Sequence, residues 1–198
     1  MTINNFFILA SSSKSRKMIL KKLGLNFEDK DHKCDENYYK KKFLKLKYAP
    51  SRISLELSKL KAKSINIKNK LIVGSDTIIN INREIIKKAK NIHEARKNIK
   101  KLSGKTHTIS SSIAVYYNNK LIWSCTSKTR VKIRKLNNKE INEYIKKCGT
   151  TILSSVGCYQ IEKMGPIIIE NIKGDYFNVM GFPVFLFLFF LKKFNIRK

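Results

Sequence analysis

The segment that most restricts the fold of this chain is a short apolar run that ends in polar residues, LIVGSDT at positions 71–77. Apolar runs of this length, bounded by turn-forming residues, are typical of an interior strand of an α/β sheet. Ligands of such sheets bind just beyond the carboxyl ends of the strands. We therefore expect a buried strand that stops near Gly74 and delivers the carboxylate of Asp76 to the floor of a cleft. The alternative is that Asp76 only turns the chain or caps the next segment.

Helical and extended patterns alternate along the 198 residues, which predicts one α/β domain, residues 1–198, with a mixed sheet. The spacing Asn-Asn-Lys at 118–120 indicates a hairpin between two of its strands. Strands are expected at 6–10, 71–77, 78–86, 106–117, 121–133, 157–162 and 166–170, and helices at 18–24, 38–63, 91–102, 137–149 and after 183.

The chain is strongly basic. It has 42 Lys and Arg against 14 Asp and Glu, a formal net charge of +28. Such an excess indicates a nucleic-acid partner or an anionic small substrate. The lysines recur in nearly every segment and form neither a tail nor a basic and aromatic face. We therefore expect no specific nucleic-acid partner, and only a salt-sensitive background attraction to nucleic acid.

Cysteine spacing and apolar segments bear on the compartment. The four cysteines lie far apart without C-x-x-C spacing, which predicts free thiols in a reducing, cytoplasmic location. The run FFILA at 6–10 is too short for a signal peptide. The run at 182–191 is about half the length of the roughly twenty apolar residues that span a bilayer. We expect a buried carboxyl-terminal helix and no membrane partner, with contact at a membrane surface as the alternative.

A serine-rich loop, SSSKSR at 11–16, lies between the first expected strand and an amphipathic helix. Backbone N–H groups at a helix start, serine hydroxyls and the Arg16 guanidinium together favour a bound phosphate. The loop lacks the Walker spacing, and serines also serve as ordinary helix caps. Further along, Asp35 and Glu36 form an acidic pair that could bind a metal or be solvated.

Several motifs occur together in one order: LASSSKSR at 9–16, VGSDT at 73–77, Lys88, LSG-x-x-H at 102–107, G-x-Y at 157–159, and G-x-Y at 174–176 with G-x-P at 181–183. In this order and spacing they resemble the Maf family of nucleoside triphosphate pyrophosphatases, once described as septum formation inhibitors. The resemblance covers almost the whole chain. Two family prolines are replaced here by Lys14 and Ala89, neither of which removes a reacting group.

The resemblance implies a central mixed, strongly twisted sheet flanked by helices, with two lobes that enclose a cleft, and it suggests a homodimer. It also implies hydrolysis of a nucleoside triphosphate between the α and β phosphates, with release of a nucleoside monophosphate and pyrophosphate. A divalent metal cation, Mg²⁺ or Mn²⁺, is the implied cofactor. In a cell this activity would remove non-standard nucleotides before they reach nucleic acid.

The family's functional residues carry over to matching positions. The implied catalytic residues are Asp76, Lys88, Glu36 and Lys61, the implied metal ligands are Asp76 and Glu36, and the expected substrate-binding residues are Ser11, Ser13, Ser15, Arg16, Thr77 and Glu162. These residue types suit the chemistry, because a triphosphate brings roughly four negative charges that the site must neutralise. An arginine binds phosphate oxygens as a fork and a lysine as a point charge. A carboxylate such as Asp76 can hold a metal and deprotonate the attacking water.

Three positions bear on the base of the nucleotide. One branch of the family prefers dTTP and UTP and carries arginine, threonine and glutamine there, whereas another prefers 7-methyl-GTP and carries tryptophan, glutamine and glutamate. This chain has a mixture, Ser15, Thr77 and Glu162. A carboxylate at Glu162 can accept from both donors of a guanine edge. The sequence therefore favours a 7-methyl-GTP-like substrate, with dTTP and UTP next.

Two other functions stay open at this stage. One is a nucleotide-binding or nucleic-acid-binding protein without turnover, involved in cell-division control. The other is a nucleic-acid-binding module driven by net charge alone. A pure binder has no need of a metal-holding acid such as Asp76 opposite a triphosphate, and the dispersed lysines do not form a nucleic-acid-binding face. Both features favour the enzyme.

Overall fold

The computed structural model describes residues 6–82 and 84–196 and confirms the α/β class. Its strands are β1 Phe7–Ala10, β2 Phe27–Asp29, β3 Leu71–Ile81, β4 Glu84–Ile85, β5 Thr106–Tyr117, β6 Lys120–Ile133 and β7 Ile169–Lys173. Its α-helices are α1 Lys14–Lys22, α2 Glu36–Lys45, α3 Pro50–Lys63, α4 Ile92–Leu102, α5 Asn138–Cys148, α6 Tyr176–Val179 and α7 Val184–Ile196. Two short 3₁₀ helices cover Gly149–Ser154 and Gly165–Ile167.

The described strands form one mixed, open sheet in the order β2-β1-β3-β5-β6-β7, with β4 paired to β3. Strand β1 is parallel to both β2 and β3, whereas β4 is antiparallel to β3 and β7 is antiparallel to β6. The parallel part requires helical crossovers, which α1 and the pair α2 and α3 supply. The mixed sheet with flanking helices is therefore as expected.

Several expected elements are confirmed, and those whose ends match the prediction most closely have turn or capping residues in the sequence. The hairpin of β5 and β6 turns at Asn118 and Asn119, which both have the positive φ that tight hairpin turns require. Helices α4 and α5 begin at the asparagine caps read from the sequence: Asn91 accepts from the backbone of Glu94, and Asn137 forms a complete capping box with Glu140. Local hydrogen bonding at these ends is independent of the rest of the fold.

The strand expected at 166–170 starts only at Ile169, because a 3₁₀ helix occupies Gly165–Ile167.

Three further expected elements are wrong. The single helix at 38–63 is two helices, because Lys47 has a positive φ and Pro50 starts a new helix at its first turn. The strand at 157–162 is absent from the described chain, where Cys158 has a positive φ and turns follow it. The strand through 71–77 does not stop at Gly74 but continues to Ile81, so Asp76 lies in its middle and not beyond its carboxyl end.

The chain divides into two compact units. The first comprises the residues up to 77, residues 111–127 and those from 181 onward; the second comprises 78–110 and 128–180. Strands β3, β5 and β6 contribute residues to both units. The expectation of one domain over residues 1–198 stays a prediction.

The carboxyl-terminal helix α7 belongs to the first unit and is buried on one side only. Phe187 is fully buried, and its ring packs edge-on against Phe7 and Phe182 at 5.2 Å between centroids in each case. Phe185 and Phe189 on the same helix are 63% and 59% exposed. Among the described residues, no helix is long and apolar enough to cross a membrane.

The second unit has its own apolar core, built from the inner faces of α4 and α5 and from the strand segments beside them. Ile99, Leu102, Ile141 and Ile145 contribute from the two helices, at the helical spacing that places apolar side chains on one face. Ile133 adds to the core from β6.

Helix α3 lies very close to strand β3 in the first unit. A Cβ atom at Gly74 would collide with the carbonyl oxygen of Ser58 and would lie 2.6 Å from the backbone nitrogen of Ala62. Only glycine permits this approach, because any side chain would push the helix away. The contact sets the distance between α3 and β3 at the position of Asp76, two residues further along the strand.

Gly74→Ala should therefore lower the free energy of unfolding by about 3 kcal/mol, as overpacking in a close contact does. Gly24→Ala is the control, because a Cβ there meets nothing within 4 Å and only its φ of +66° is unfavourable, which costs about 1 kcal/mol. Urea unfolding of both variants measures the difference. Equal destabilisation by the two substitutions would show that α3 does not depend on this contact.

Candidate active site

A buried ion pair joins the last turn of α3 to the middle of β3. The Lys61 Nζ lies 2.7 Å from Asp76 Oδ1, and both side chains are only 4% exposed. Lys61 is on the inner face of α3, at helical spacing from the buried Leu57 and Ser58. The amphipathic pattern of α3 therefore turns this lysine inward, where a buried ammonium requires a carboxylate partner.

Glu36 is the second carboxylate at Lys61. It is the first residue of α2. Asp35 caps the amino terminus of this helix, because its side chain accepts a hydrogen bond from the backbone N–H of Tyr38. Glu36 Oε1 lies 2.9 Å from Lys61 Nζ and 3.3 Å from His32 Nε2, and its Oε2 lies 3.0 Å from Lys40 Nζ. Three donors thus surround one carboxylate.

The pKa of Glu36 reflects these donors. Partial burial raises it, but the hydrogen bond from His32 and the charges of Lys61 and Lys40 outweigh burial, and the pKa lies well below the ordinary value. Glu36 is therefore a carboxylate throughout the physiological range. Burial also lowers the pKa of the Lys40 ammonium, but the charges of Asp76 and Glu36 raise it more, so the group stays protonated.

The carboxylates fit a divalent cation. Asp76 Oδ2 is buried and has no hydrogen-bond partner in the described part of the chain, although a buried carboxylate oxygen ordinarily has one. Asp76 and Glu36 offer the oxygen ligands that Mg²⁺ and Mn²⁺ prefer. The described residues contain no group of three or more His, Cys, Asp and Glu arranged for a metal. Two carboxylates suit Mg²⁺, which usually keeps several waters and binds substrate phosphates.

Arg16 is a buried clamp in the first unit. Its guanidinium donates to four oxygens at 2.8–3.0 Å, those of Gly181 (carbonyl), Ser11 (hydroxyl), Ser75 (carbonyl) and Thr77 (hydroxyl). A guanidinium has five N–H groups, and one of those on Nη2 takes no part in these four bonds. Burial lowers the pKa of Arg16, and the charges of Asp76 and Glu36 partly offset this. Phosphate binding by Arg16 stays a prediction, with that N–H as its donor.

The other first-unit residues expected to bind substrate lie around this clamp. Ser11 Oγ accepts from Arg16 and from the backbone of Ser13 at 3.3 Å. Thr77 Oγ1 also lies 3.0 Å from Ser111 Oγ and 3.3 Å from the Gly181 carbonyl, so the hydroxyl expected to select the base is already engaged. Ser13 is the N-cap residue just before α1, and Ser15 lies in the first turn of α1 and is partly exposed.

Lys88 and Glu162 belong to the second unit. Lys88 is exposed between β4 and α4, and Glu162 is partly buried in a turn. Burial and the charge of Glu162 raise the pKa of the Tyr176 hydroxyl, in that order. Catalysis by Lys88 and base recognition by Glu162 stay predictions.

Two residues of the matching motifs form a buried pair in the second unit. His107 Nε2 lies 2.5 Å from the Tyr159 hydroxyl, and both side chains are inside the core. Burial lowers the pKa of His107 to about 4 and raises that of Tyr159. The neutral imidazole is therefore the form that the folded protein holds.

Sequence reasoning missed the polar residues that support the carboxylates. Ser54 Oγ lies 3.1 Å from the backbone oxygen of Asp76 and 2.7 Å from Ser112 Oγ. Ser112 Oγ is in turn hydrogen-bonded to the hydroxyl of Thr126 on β6. His32 and Lys40 contact Glu36 at spacings of four residues on either side of it. That spacing is visible in the sequence, whereas the serine chain joins segments far apart and has no local signal.

The model of the family of Maf-like proteins matches residues 6–194. The chain belongs to the Maf family. It is 36% identical over 191 residues to the 7-methyl-GTP pyrophosphatase of Bartonella henselae, with 96% of each chain covered. It is 33% identical over 185 residues to the nucleoside triphosphate pyrophosphatase of Caulobacter vibrioides, with 93% of each covered. A 7-methyl-GTP pyrophosphatase of Rhizobium meliloti is 31% identical over 179 residues, with 89% of this Maf chain and 90% of the relative covered.

Loss of the clamp should destabilise this Maf protein. Arg16→Lys retains a charge but cannot reach four separate acceptors, so buried oxygens lose their donor and the free energy of unfolding should fall by about 3 kcal/mol. Lys17→Met, which removes the neighbouring surface ion pair with Asp29, should cost less than about 1 kcal/mol. Urea unfolding gives both values, and an effect of Arg16→Lys as small as that of the control would refute the clamp.

Acid should destabilise the second unit through His107. The pKa of His107 is lower in the folded protein, so the unfolded chain binds the proton first as the pH falls. The contribution of His107 to the stability of the folded protein is therefore complete above about pH 6.5 and is lost as the pH falls toward 4. The loss amounts to about 3 kcal/mol at most, since one pKa unit is about 1.4 kcal/mol. The difference in unfolding free energy between the wild type and His107→Gln should shrink from pH 7.5 to 4.5. A difference that is constant with pH would contradict this.

Proposed function

We propose that this Maf protein is a nucleoside triphosphate pyrophosphatase that cleaves between the α and β phosphates, releases a nucleoside monophosphate and pyrophosphate, and removes non-standard nucleotides. The observation that carries the proposal is the buried Lys61 between the carboxylates of Asp76 and Glu36, with one Asp76 oxygen that has no partner within residues 6–82 and 84–196. The pyrophosphatase names of relatives that match nearly the whole chain support it.

The charges near this site suit a triphosphate. Lys61, Lys40 and Arg16 carry three positive charges, and Asp76 and Glu36 carry two negative ones, so the cluster is positive by one. A triphosphate brings roughly four negative charges, and neutralising them is most of what a phosphoryl-transfer site does. A divalent cation held by the two carboxylates would supply further positive charge on the phosphate oxygens.

The residues take distinct roles in this reaction. Asp76 Oδ2, which has no partner in the described chain, accepts the proton of the attacking water while a bond forms from the water oxygen to phosphorus and the α–β bridging bond breaks. Lys61 neutralises the charge that develops on the phosphates. Glu36 completes the metal-holding pair, and Lys88 is a further cation for the phosphate chain.

The proposed substrate has a guanine-type base, with 7-methyl-GTP first and dTTP and UTP next. Glu162 is the residue that supports this preference, since a carboxylate accepts from the two donors of a guanine edge. The Thr77 hydroxyl, which is bonded to Arg16, would influence the base through that network. The proposal also includes a cytoplasmic location, which the cysteine spacing supports, and a homodimer, which the family resemblance supports.

The experiment is a panel of canonical and modified nucleoside triphosphates with Mg²⁺ or Mn²⁺ that separates pyrophosphate from orthophosphate release. Wild-type protein should release pyrophosphate, with 7-methyl-GTP as the best substrate. Asp76→Asn should lower kcat about 10³-fold, because it removes the general base and a metal ligand together.

Asp29→Asn is the matched control, because Asp29 pairs with Lys17 on the surface of the same unit and should leave kcat unchanged. Folded wild-type protein that turns over none of these nucleotides would overturn the enzyme and favour a nucleotide-binding protein without turnover. If Asp76→Asn still releases pyrophosphate at the wild-type rate, the reaction takes place at a different site.

A further inference from the structure

His32 contacts the candidate site from a loop that no motif covers. It lies between β2 and α2, four residues before Glu36, and its side chain is 13% exposed. Its Nε2 is 3.3 Å from Glu36 Oε1, the same oxygen that receives Lys61 Nζ. A carboxylate such as that of Glu36 only accepts hydrogen bonds, so Nε2 must carry the hydrogen in this contact.

The backbone around His32 is fixed on both sides. Before it, the Lys30 amide donates to the Leu9 carbonyl at 3.0 Å. After it, the Lys33 amide donates to Ser64 Oγ at 3.0 Å, and Ser64 Oγ donates to the backbone oxygen of Lys61 at 2.8 Å. Ser64 thus ties the His32 loop to the end of the helix that carries Lys61. The imidazole projects from a held backbone and not from a loose one.

Glu36 needs such a contact to keep one orientation. Its side chain is 32% exposed, and its other oxygen faces Lys40, whose side chain is 33% exposed. Of its two ammonium partners, only Lys61 is buried. The Lys40 side chain is long and partly exposed, and it is free to leave Oε2 because holding such a chain in place costs entropy. A short imidazole ring on a fixed loop does not have this freedom.

We propose that His32 is a positioning residue that holds the Glu36 carboxylate against Lys61 and thereby prepares the metal-holding pair of Glu36 and Asp76. The proposal rests on the proposed function. His32 acts through Glu36 and touches neither nucleotide nor reacting atoms. Partners that orient a metal ligand in this way typically change metal affinity or activity by 10–100-fold when they are replaced.

The test compares two amide replacements of similar polarity. The amide nitrogen of Gln lies about as far from the backbone as Nε2 and can donate to Glu36, whereas that of Asn reaches only the position of Nδ1. Mn²⁺ alone, titrated into nucleotide-free protein and followed by electron paramagnetic resonance, reports binding without turnover. His32→Asn should weaken Mn²⁺ binding about tenfold, and His32→Gln should retain most of the affinity. His93→Asn, in an exposed histidine of α4, is the control for the substitution itself.

Turnover gives a second readout. His32→Asn should require more Mn²⁺ for half-maximal rate and should regain most of its kcat at saturating Mn²⁺, which a general folding defect would not do. Equal Mn²⁺ affinity for His32→Asn and His32→Gln, whether both are weakened or both unchanged, would overturn the proposal. So would the absence of any Mn²⁺ binding by the wild-type protein. Wild-type protein that binds Mn²⁺ with this pattern but turns over no triphosphate would refute the proposed function alone.

Discussion

The ion pair of Lys61 and Asp76 is the interaction on which the arrangement of the candidate site depends. Two charges removed from water are stable only when they are close and further hydrogen-bonded, and a distance of 2.7 Å satisfies the first condition. Gly74 makes that distance attainable, because the absent side chain lets α3 approach β3. The pairing leaves Asp76 Oδ2 without a partner among the residues that the structure describes, and this unsatisfied atom is the strongest structural sign of a ligand.

Arg16 shows how the surroundings of a residue decide its use. An arginine beside serines at a helix start predicts a phosphate-binding fork. In the structure, four oxygens of the protein itself occupy the guanidinium, two of them backbone carbonyls. These bonds stabilise the segments of the first unit around β3, and they hold Thr77 by its hydroxyl. A site that orients phosphates requires residues that are held rigidly in this way.

Local signals in the sequence predicted the elements that local physics controls. Asparagine caps marked the starts of α4 and α5, and paired asparagines marked the hairpin of β5 and β6. The errors arose where tertiary contacts outweigh the local sequence pattern. The strand expected at 71–77 continues to Ile81. The segment 157–162 has the pattern of a strand, but Cys158 has a positive φ. A strand depends on partners elsewhere in the chain, so its extent cannot be read from its own residues.

The sequence by itself determined the α/β class and the family, because these follow from periodicity and the order of short motifs. The acids and lysines that the family resemblance assigns to the site stay predictions. Only the tertiary structure decided which charges meet. Among 42 Lys and Arg, it selected Lys61 for the buried pair, enclosed Arg16, and brought His32 to Glu36. The physical reason is that charge pairing depends on distances of a few ångströms between side chains on separate elements, and the packing of α3 against β3 sets those distances.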